Sequence, residues 1–291
     1  MTRWSSRPPA ENSPTEHNLC EGDRGVRRHL LLAWLLASTP LAFALLPSSA
    51  YPAQSASLHI SFTPYIPGQS TNVGFDVDID APAGHVPPPL TELDLHYPSD
   101  LGLAVSGLGL ATCAQPTLEA LGTEGCPADS FMGRGSALAE IPVGPEIIQE
   151  TASVTILRAP EEQGHIAMLF NVDGETPVNA EVVFSGVLLP ALLPTDESID
   201  IRVPLVEGLP GSPDVAVVKL DAAFGPRGLI YYEHIHGRLV PYTPRGILLP
   251  NHCPHGGFHF TANLAFLDGT NTTARAAVPC PRDRPRGHPG V

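Results

Sequence analysis

Histidine is the residue type in this sequence with the greatest potential for chemistry. His234 and His236 stand on either side of Ile235. On a β-strand, alternate side chains point to the same face, so both imidazoles would lie side by side, as two ligands of one metal ion must. Two solvated histidines on the outer face of a strand would give the same pattern.

A second pair of histidines follows later in the chain. His255 and His259 lie on either side of Gly256-Gly257, where the backbone can bend tightly. If the segments 229–236 and 257–266 form neighbouring strands, the two histidine pairs would converge on one ion. Imidazole ligands suit zinc and copper. The sequence therefore carries the hypothesis of a zinc or copper site, with solvated histidines as the alternative.

The cysteines predict a covalent framework. Cys20 precedes an apolar N-terminal run, whereas Cys113, Cys126, Cys253 and Cys280 follow it. An even number of cysteines outside the cytoplasm favours disulfides, and four cysteines allow three pairings. We favour Cys113–Cys126 and Cys253–Cys280, because each pair brackets a compact segment. Each bridge would contribute about 3–4 kcal/mol by restricting the unfolded chain.

Acidic and hydroxyl side chains offer two further candidates. Asp76, Asp78 and Asp80 would share one face of a strand, where they would either bind calcium or be solvated. Ser130 follows Asp129, but the Gly-x-Ser-x-Gly motif and a neighbouring histidine base are missing. A hydrogen-bonded turn explains Ser130 better than a nucleophile does. With no complete catalytic triad in the sequence, an enzyme is the less favoured class.

The N-terminal region has the features of an export signal. Arg24, Arg27 and Arg28 precede an uncharged apolar run over residues 30–46, and Ser48-Ser49-Ala50 offers small residues for cleavage. Residues 1–50 are therefore predicted to be a cytoplasmic leader with a signal peptide or, if uncleaved, a transmembrane helix that anchors the protein. Both alternatives place the rest of the chain outside the cytoplasm, either secreted or at the cell surface.

Composition favours short strands joined by turns. The 291 residues include 33 Pro and 27 Gly, and 43% are apolar, which is enough for a sizeable core. Apolar and polar residues alternate in repeated short runs, such as 58–62, 73–80 and 257–266. Strand–helix alternation is absent, which argues against a nucleotide-binding α/β fold. A net charge of −14 repels phosphate backbones and excludes nucleic acid as a partner.

These patterns predict an all-β protein. We expect an antiparallel β-sandwich, Ig-like or similar, with minor short helices and with the N-terminal signal or anchor helix before it. Residues 57–281 would form a single large β domain, and two lobes divided near 159–164 are the alternative. A short helical turn is expected from Pro116 to Gly122, and residues 282–291 are predicted to be a disordered tail.

Several short segments rich in Cys, Pro and Gly stand out from the rest of the sequence. They are 126–135 (CPADSFMGRG), 225–228 (GPRG), 245–250 (RGILLP), 253–260 (CPHGGFHF) and 278–281 (VPCP). Together they resemble segments of secreted actinobacterial proteins of unknown function, and the resemblance covers most of the predicted β domain. It implies an exported, β-sandwich-like domain with two local disulfides, and it implies no activity.

The sequence alone favours an exported, non-enzymatic β domain with an extracellular binding or structural role. Its partner or ligand is unknown, and the membrane is a partner only through an uncleaved N-terminal helix. One alternative is a metal-dependent enzyme that uses the late histidines, and no cofactor other than its zinc or copper is predicted. Another is a carrier of an apolar ligand, because sheets lined by Leu and Val can enclose a pocket.

Overall fold

The computed structural model describes most of the predicted β domain. The described residues are 54–82, 85–176, 180–190, 196–208 and 213–281. The predicted signal or anchor helix and the predicted C-terminal tail both lie outside these ranges. Within them, no helix has the length and apolar character needed to cross a membrane.

Strands dominate the described chain because alternating apolar residues bury one face of each strand. In β2, for example, Val73, Phe75, Val77 and Ile79 are buried, and the residues between them are partly exposed. The strands are β1 (Ser55–Thr63), β2 (Ser70–Asp80), β3 (Leu90–Pro98), β4 (Phe131–Val143), β5 (Glu146–Glu162), β6 (His165–Thr176), β7 (Glu181–Leu189), β8 (Asp196–Arg202), β9 (Ala216–Phe224), β10 (Tyr231–Ile235), β11 (Arg238–Tyr242), β12 (Ile247–Leu248), β13 (Phe258–Phe266) and β14 (Asn271–Val278).

One antiparallel sheet contains most of these strands. Its order is β1-β2-β9-β4-β5-β6-β7-β8-β3-β13-β14, and the short β12 pairs with β2 beside this path. The sheet curls until β1 lies against β14, which makes it nearly barrel-shaped. At this seam the hydroxyl of Tyr65, after β1, donates a hydrogen bond of 2.9 Å to the carbonyl of Pro279, after β14.

The single curled sheet differs from the expected sandwich of two packed sheets, which is not confirmed. Strands β4 to β8 follow one another as hairpins and keep the middle of the sheet continuous. On one side β9 joins them to β2, and on the other side β3 joins them to β13, so the same sheet extends to both edges. Residues 159–164, considered as a boundary between lobes, lie in the β5–β6 hairpin of this sheet. Among the described strands, β10 and β11 form a separate two-stranded sheet.

The inward side chains of the curled sheet form one apolar core. One end of this core is rich in aromatic rings. Phe62 packs edge to face on Phe258 with ring centroids 5.3 Å apart, and Phe75 packs edge to face on Phe224 at 5.8 Å and on Phe260 at 6.3 Å. This geometry adds to the stabilisation from burial, since the positive ring edge meets the negative ring face.

Two disulfides join the pairs predicted from the sequence. Cys113 is bonded to Cys126 and Cys253 to Cys280, with Cα–Cα distances of 5.2 Å and 5.8 Å. The second bridge links the loop before β13 to the residues after β14. Disulfides form and persist in oxidising compartments, so both bridges indicate an environment outside the cytoplasm.

The first disulfide encloses the helix α1 (Gln115–Leu121), which was expected as a helical turn. Pro116 lies in its first turn, and the helix ends at Gly122, whose φ of 64° is in the left-handed region that favours glycine. Leu118 of α1 is fully buried and packs with Leu157 and Leu169 in a second, smaller core. The bridged loop therefore covers part of the outer face of β5 and β6.

Candidate functional site

An apolar cavity lies in the core, and none of the edge-to-face rings described above lines it. Its volume is about 150 Å³. Ala139 of β4, Val154 of β5, Val172 of β6 and Val217 of β9 are among the residues that line it. Enclosed apolar cavities of similar volume bind small apolar molecules such as benzene. The site is therefore chemically suited to an apolar ligand.

The cavity opens to solvent at its outer end. Val172, Phe184 and Val217 point to the inside of the curled sheet, yet each of them is only half-buried. Val206 and Val215 contribute to the same wall, and the backbone N–H of Val215 donates a hydrogen bond of 2.9 Å to the carbonyl of Val206. Concave, mostly apolar surfaces of this kind are typical of small-molecule sites.

Small side chains create this space. Ala137 and Ala139 of β4, Ala152 of β5, Gly174 of β6 and Ala222 of β9 all line the cavity. Protein interiors are otherwise packed about as densely as organic crystals, so a row of Ala side chains leaves a volume that no neighbour fills. Phe170 and Phe184, whose rings stack with centroids 5.5 Å apart, form another part of the wall.

Glu150 of β5 is the one ionisable residue among the described residues that line the cavity. It stands opposite Ala139 across the β4–β5 pair, and its side chain is only 6% exposed. Gly174 makes room for it, because a Cβ at this position would overlap Oε1 of the Glu150 carboxyl group. A carboxylate in an apolar wall is costly unless hydrogen bonds or a cation compensate it. The cavity therefore combines an apolar body with one acidic group.

The structure separates the two predicted histidine pairs. His234 lies in β10, which pairs with β11, whereas His259 lies in β13, between β3 and β14. His236 follows the end of β10 in a turn, with a φ of 49°, so it does not share a strand face with His234. His255 lies in the loop that precedes β13.

The segments 229–236 and 257–266, whose pairing was the condition for one shared ion, do not form neighbouring strands. Both edges of β13 are already occupied by β3 and β14, so β10 cannot pair with it. All four histidines are exposed, and in the part of the chain that the structure describes no group of three or more His, Cys, Asp or Glu side chains could hold a metal ion. The zinc or copper site stays a prediction, without the strand pairing that would bring the two histidine pairs together.

The acidic face of β2 is occupied by a lysine. Nζ of Lys219, on β9, lies 3.0 Å from Oδ1 of Asp76 and 3.2 Å from Oδ1 of Asp78. Its hydrogen bonds to these two carboxylates raise the pKa of Lys219. Asp80 lies at the end of the strand and is exposed. An ammonium group thus stands where the calcium hypothesis would place the ion.

Ser130 is buried in a turn, as the sequence indicated. Its hydroxyl donates a hydrogen bond of 2.7 Å to the carbonyl of Pro127. This local bond satisfies the buried hydroxyl and accounts for the residue without a catalytic role.

The sequence offered an apolar pocket as an alternative, but neither its position nor Glu150 was predicted. A signal was present, because Glu150 is two residues before Ala152 and four before Val154, on a strand face that is otherwise apolar. An acidic residue at such a position indicates either a strand end or a buried site. To choose between these two alternatives, one must know that β4 pairs with β5 at this point. The small residues Ala137 and Ala139 of β4 give only a weak alternating hydrophobic pattern, so this strand was not recognised.

No protein-family model, curated protein or solved structure matches the chain. The two disulfides and the all-β architecture agree with what the resemblance to secreted actinobacterial proteins implied, and membership of that group stays a prediction. The function is therefore argued from the geometry of the cavity.

Proposed function

We propose that the protein is an exported, non-enzymatic β protein that binds a small apolar ligand in the cavity of its curled sheet. The observation that carries this proposal is the cavity of about 150 Å³, whose inward apolar residues Val172, Phe184 and Val217 remain half-exposed. A ligand that covers them removes apolar surface from water, which contributes about 25 cal/mol per Å². The role of a carrier follows from such a site.

Export is supported by two independent features. The disulfides fit an oxidising compartment, and the basic and apolar residues within the first 50 positions fit a signal peptide or a surface anchor. Apolar molecules dissolve poorly in the aqueous space outside the cytoplasm. A secreted or surface-anchored protein with an apolar cavity is suited to holding one there.

Binding without catalysis is supported by the composition of the cavity wall. Acid–base and nucleophilic catalysis usually need two or more positioned polar groups. Among the described lining residues, Glu150 is accompanied only by apolar side chains and glycine. One carboxyl group in this setting suits recognition of a ligand better than its conversion.

Calorimetric titration of the exported protein with 1-octanol tests the proposal. Wild type is expected to bind about one equivalent. Ala137→Phe, which fills the cavity, is expected to abolish this binding. The matched control is Ser136→Phe, because Ser136 is the adjacent residue of β4 and is exposed on the opposite face.

Circular dichroism would establish that both variants keep the β fold. Absence of saturable binding to wild type contradicts the proposal. Equal binding by wild type, Ala137→Phe and Ser136→Phe contradicts it as well, because the alcohol would then occupy a different surface.

A further inference from the structure

We propose that the outer face of the β10–β11 hairpin docks on a lipid bilayer that contains anionic lipids. From the sequence, only the N-terminal helix was expected to contact a membrane, whereas this surface belongs to the β domain. The docking face contains no residue of the cavity and is independent of the proposed ligand. It combines exposed apolar side chains, a fixed attachment behind them and a local reversal of the charge of the chain.

The outer face of the hairpin is apolar and exposed. The register of the β10–β11 pair places Tyr232 opposite Pro241 and His234 opposite Leu239, so these four side chains share one face. Tyr232 is 49% exposed and Leu239 is 58% exposed, and Ile230, just before β10, is 57% exposed. Single exposed apolar residues are common on protein surfaces, whereas a group of them on one face is typical of an interaction site.

The opposite face holds the hairpin against the main sheet. Tyr231 is fully buried there, and its hydroxyl donates a hydrogen bond to the carbonyl of Phe131 and accepts one from the backbone N–H of Gly109. The ring of Tyr242, which stands opposite Tyr231 across the strand pair, packs edge to face on it with centroids 5.9 Å apart. Because these contacts fix one face inward, the apolar face points to solvent.

The charge of this region is opposite to that of the whole chain. Residues 225–259 contain three arginines and one acidic residue, Glu233, whereas the whole chain has a net charge of −14. Arg227, Arg238 and Arg245 are all exposed. In the part of the chain that the structure describes, none of the three forms a salt bridge. Their positive charge is therefore available to an external anionic surface.

The three arginines stand at both ends of the hairpin. Arg238 lies at its tip, opposite Ile235 in the strand pair. Arg227 and Arg245 lie in the segments before and after the hairpin, and these segments are in contact, because a Cβ at Gly246 would overlap Cδ of Pro226. An anionic surface attracts this region and repels the acidic remainder of the protein, so both effects turn the hairpin towards that surface.

A bilayer with anionic lipids matches this combination of groups better than an acidic protein does. Tyrosine is enriched at the interface between membrane and water, where its ring is apolar and its hydroxyl stays wet. The aliphatic part of an arginine side chain can lie along apolar surface while its guanidinium group pairs with the head groups. An acidic protein surface would pair with the arginines but would leave Ile230 and Leu239 against polar groups.

Tryptophan fluorescence with brominated lipids tests the docking face directly. Both native tryptophans, Trp4 and Trp34, precede the β domain, so Leu239→Trp adds a reporter on the hairpin, measured as the difference from wild type. The vesicles would contain phosphatidylglycerol and dibrominated phosphatidylcholine in equal amounts, and dibrominated phosphatidylcholine alone would be the neutral comparison. We expect only the anionic vesicles to shift the added emission to shorter wavelength and to quench it, because the reporter then lies near the brominated acyl chains.

Leu267→Trp is the matched control for the position of the reporter. Leu267 is 49% exposed and lies in the turn between β13 and β14, at the opposite end of β13 from the loop that follows β12. Its added emission should show neither the shift nor the quenching. Circular dichroism would establish that both variants keep the β fold.

A second pair of variants tests the contribution of charge. In the Leu239→Trp background, Arg238→Gln should weaken the affinity for the anionic vesicles about fivefold, because each arginine near an anionic surface adds to the attraction. Arg275→Gln removes the same charge from an exposed position on β14. It should leave the affinity within about twofold of its starting value, because salt screens charges that lie far from the bilayer.

The proposal is overturned if neither kind of vesicle quenches Leu239→Trp, or if Leu267→Trp is quenched equally. Equal quenching by neutral and anionic vesicles, or equal affinities of the two arginine variants, overturns it as well. Sedimentation velocity identifies another occupant: dimers that form without vesicles and that Arg238→Gln dissociates would show that the face binds the acidic surface of a second copy instead. Tyr232→Trp, which replaces one ring by another on the same face, is the reporter for the case that Leu239→Trp does not fold.

Discussion

At the scale of single residues, the buried hydroxyl of Tyr231 connects segments that are distant in sequence. It donates a hydrogen bond to the carbonyl of Phe131 at the start of β4 and accepts one of 3.0 Å from the backbone N–H of Gly109. Tyr231 is fully buried, and burial raises the pKa of its hydroxyl to about 12. This residue ties the β10–β11 hairpin to the main sheet.

Removing this hydroxyl should destabilise the protein. We expect Tyr231→Phe to lower the free energy of unfolding by about 1–3 kcal/mol, because the buried N–H of Gly109 and the partly buried carbonyl of Phe131 both lose this partner. Urea denaturation measures the difference. The neighbouring Tyr232 is exposed, so Tyr232→Phe should change the stability by less than about 0.5 kcal/mol. Equal effects of the two variants would contradict the role given to Tyr231.

Two buried tyrosines predict a loss of stability at alkaline pH. Burial, followed by the nearby charge of Glu197, raises the pKa of Tyr97 far above its usual range, and the pKa of Tyr231 is also raised. In the unfolded chain a tyrosine loses its proton near pH 10, whereas both hydroxyls keep it in the folded protein. The stabilisation is therefore complete below about pH 10 and is lost as the pH rises towards 12.

The expected slope above pH 10 is a loss of about 1.4 kcal/mol per pH unit for each of the two tyrosines. Urea denaturation at intervals from pH 9 to about 11.5 would measure it. Tyr97→Phe should roughly halve the slope. A free energy of unfolding that stays constant across this interval would show that these hydroxyls ionise equally in both states.

At the scale of elements, the sequence identified strands from alternating or continuous apolar runs, and alternation is the clearest of these signals. β2 and β13 bury every second residue along most of their length, so the pattern reports the strand directly. β4 was not identified, because its sequence places Gly133, Gly135, Ala137 and Ala139 where larger apolar residues would stand. Glycine is required at positions 133 and 135 because a Cβ at either position would overlap backbone atoms of β9.

The order of the strands in the sheet could not be predicted from the sequence, for a related reason. β9 lies between β2 and β4, and β3 lies between β8 and β13, although these strands are far apart along the chain. Alternation shows which face of a strand is buried but not which strand lies next to it. For this reason the sequence could not distinguish a sandwich from one curled sheet, nor decide whether β10 and β13 are neighbours, and it could not locate the apolar cavity.

Each disulfide should contribute measurably to the free energy of unfolding. Replacing Cys113 and Cys126 by Ala should lower the free energy of unfolding by about 3 kcal/mol, because the unfolded chain regains the freedom of a closed loop. Denaturation with guanidinium chloride would measure this. The corresponding loss for Cys253 and Cys280 should be about 0.6 kcal/mol larger, since that loop separates its cysteines by 27 residues rather than 13.

The α1 disulfide should also protect its own loop. Without it, Leu118 has only its apolar contacts with the outer face of β5 and β6 to hold the helix in place. Limited proteolysis of the double Ala variant should therefore cut first within residues 113–126. Unchanged stability and unchanged proteolysis would contradict a stabilising role for this bridge.

At the scale of the whole molecule, one curled sheet encloses a core with two different ends. Aromatic rings such as Phe62, Phe258 and Phe260 pack tightly at one end, and at the other end small Ala side chains leave a cavity. The dense end supplies much of the apolar burial that stabilises the fold, so the hollow end can leave space for a ligand. A division of this kind explains how the sheet can be stable while part of its inner face stays half-exposed.

The most direct test of this account is a crystal structure of the protein soaked with 1-bromohexane, with the bromine located by its anomalous scattering. Our account predicts a bromine peak inside the cavity, between Ala139, Val172 and Val217. It also predicts that the peak disappears from crystals of Ala137→Phe. A cavity that holds ordered water and no bromine, in crystals that take up the compound elsewhere, would contradict the assignment of an apolar ligand site.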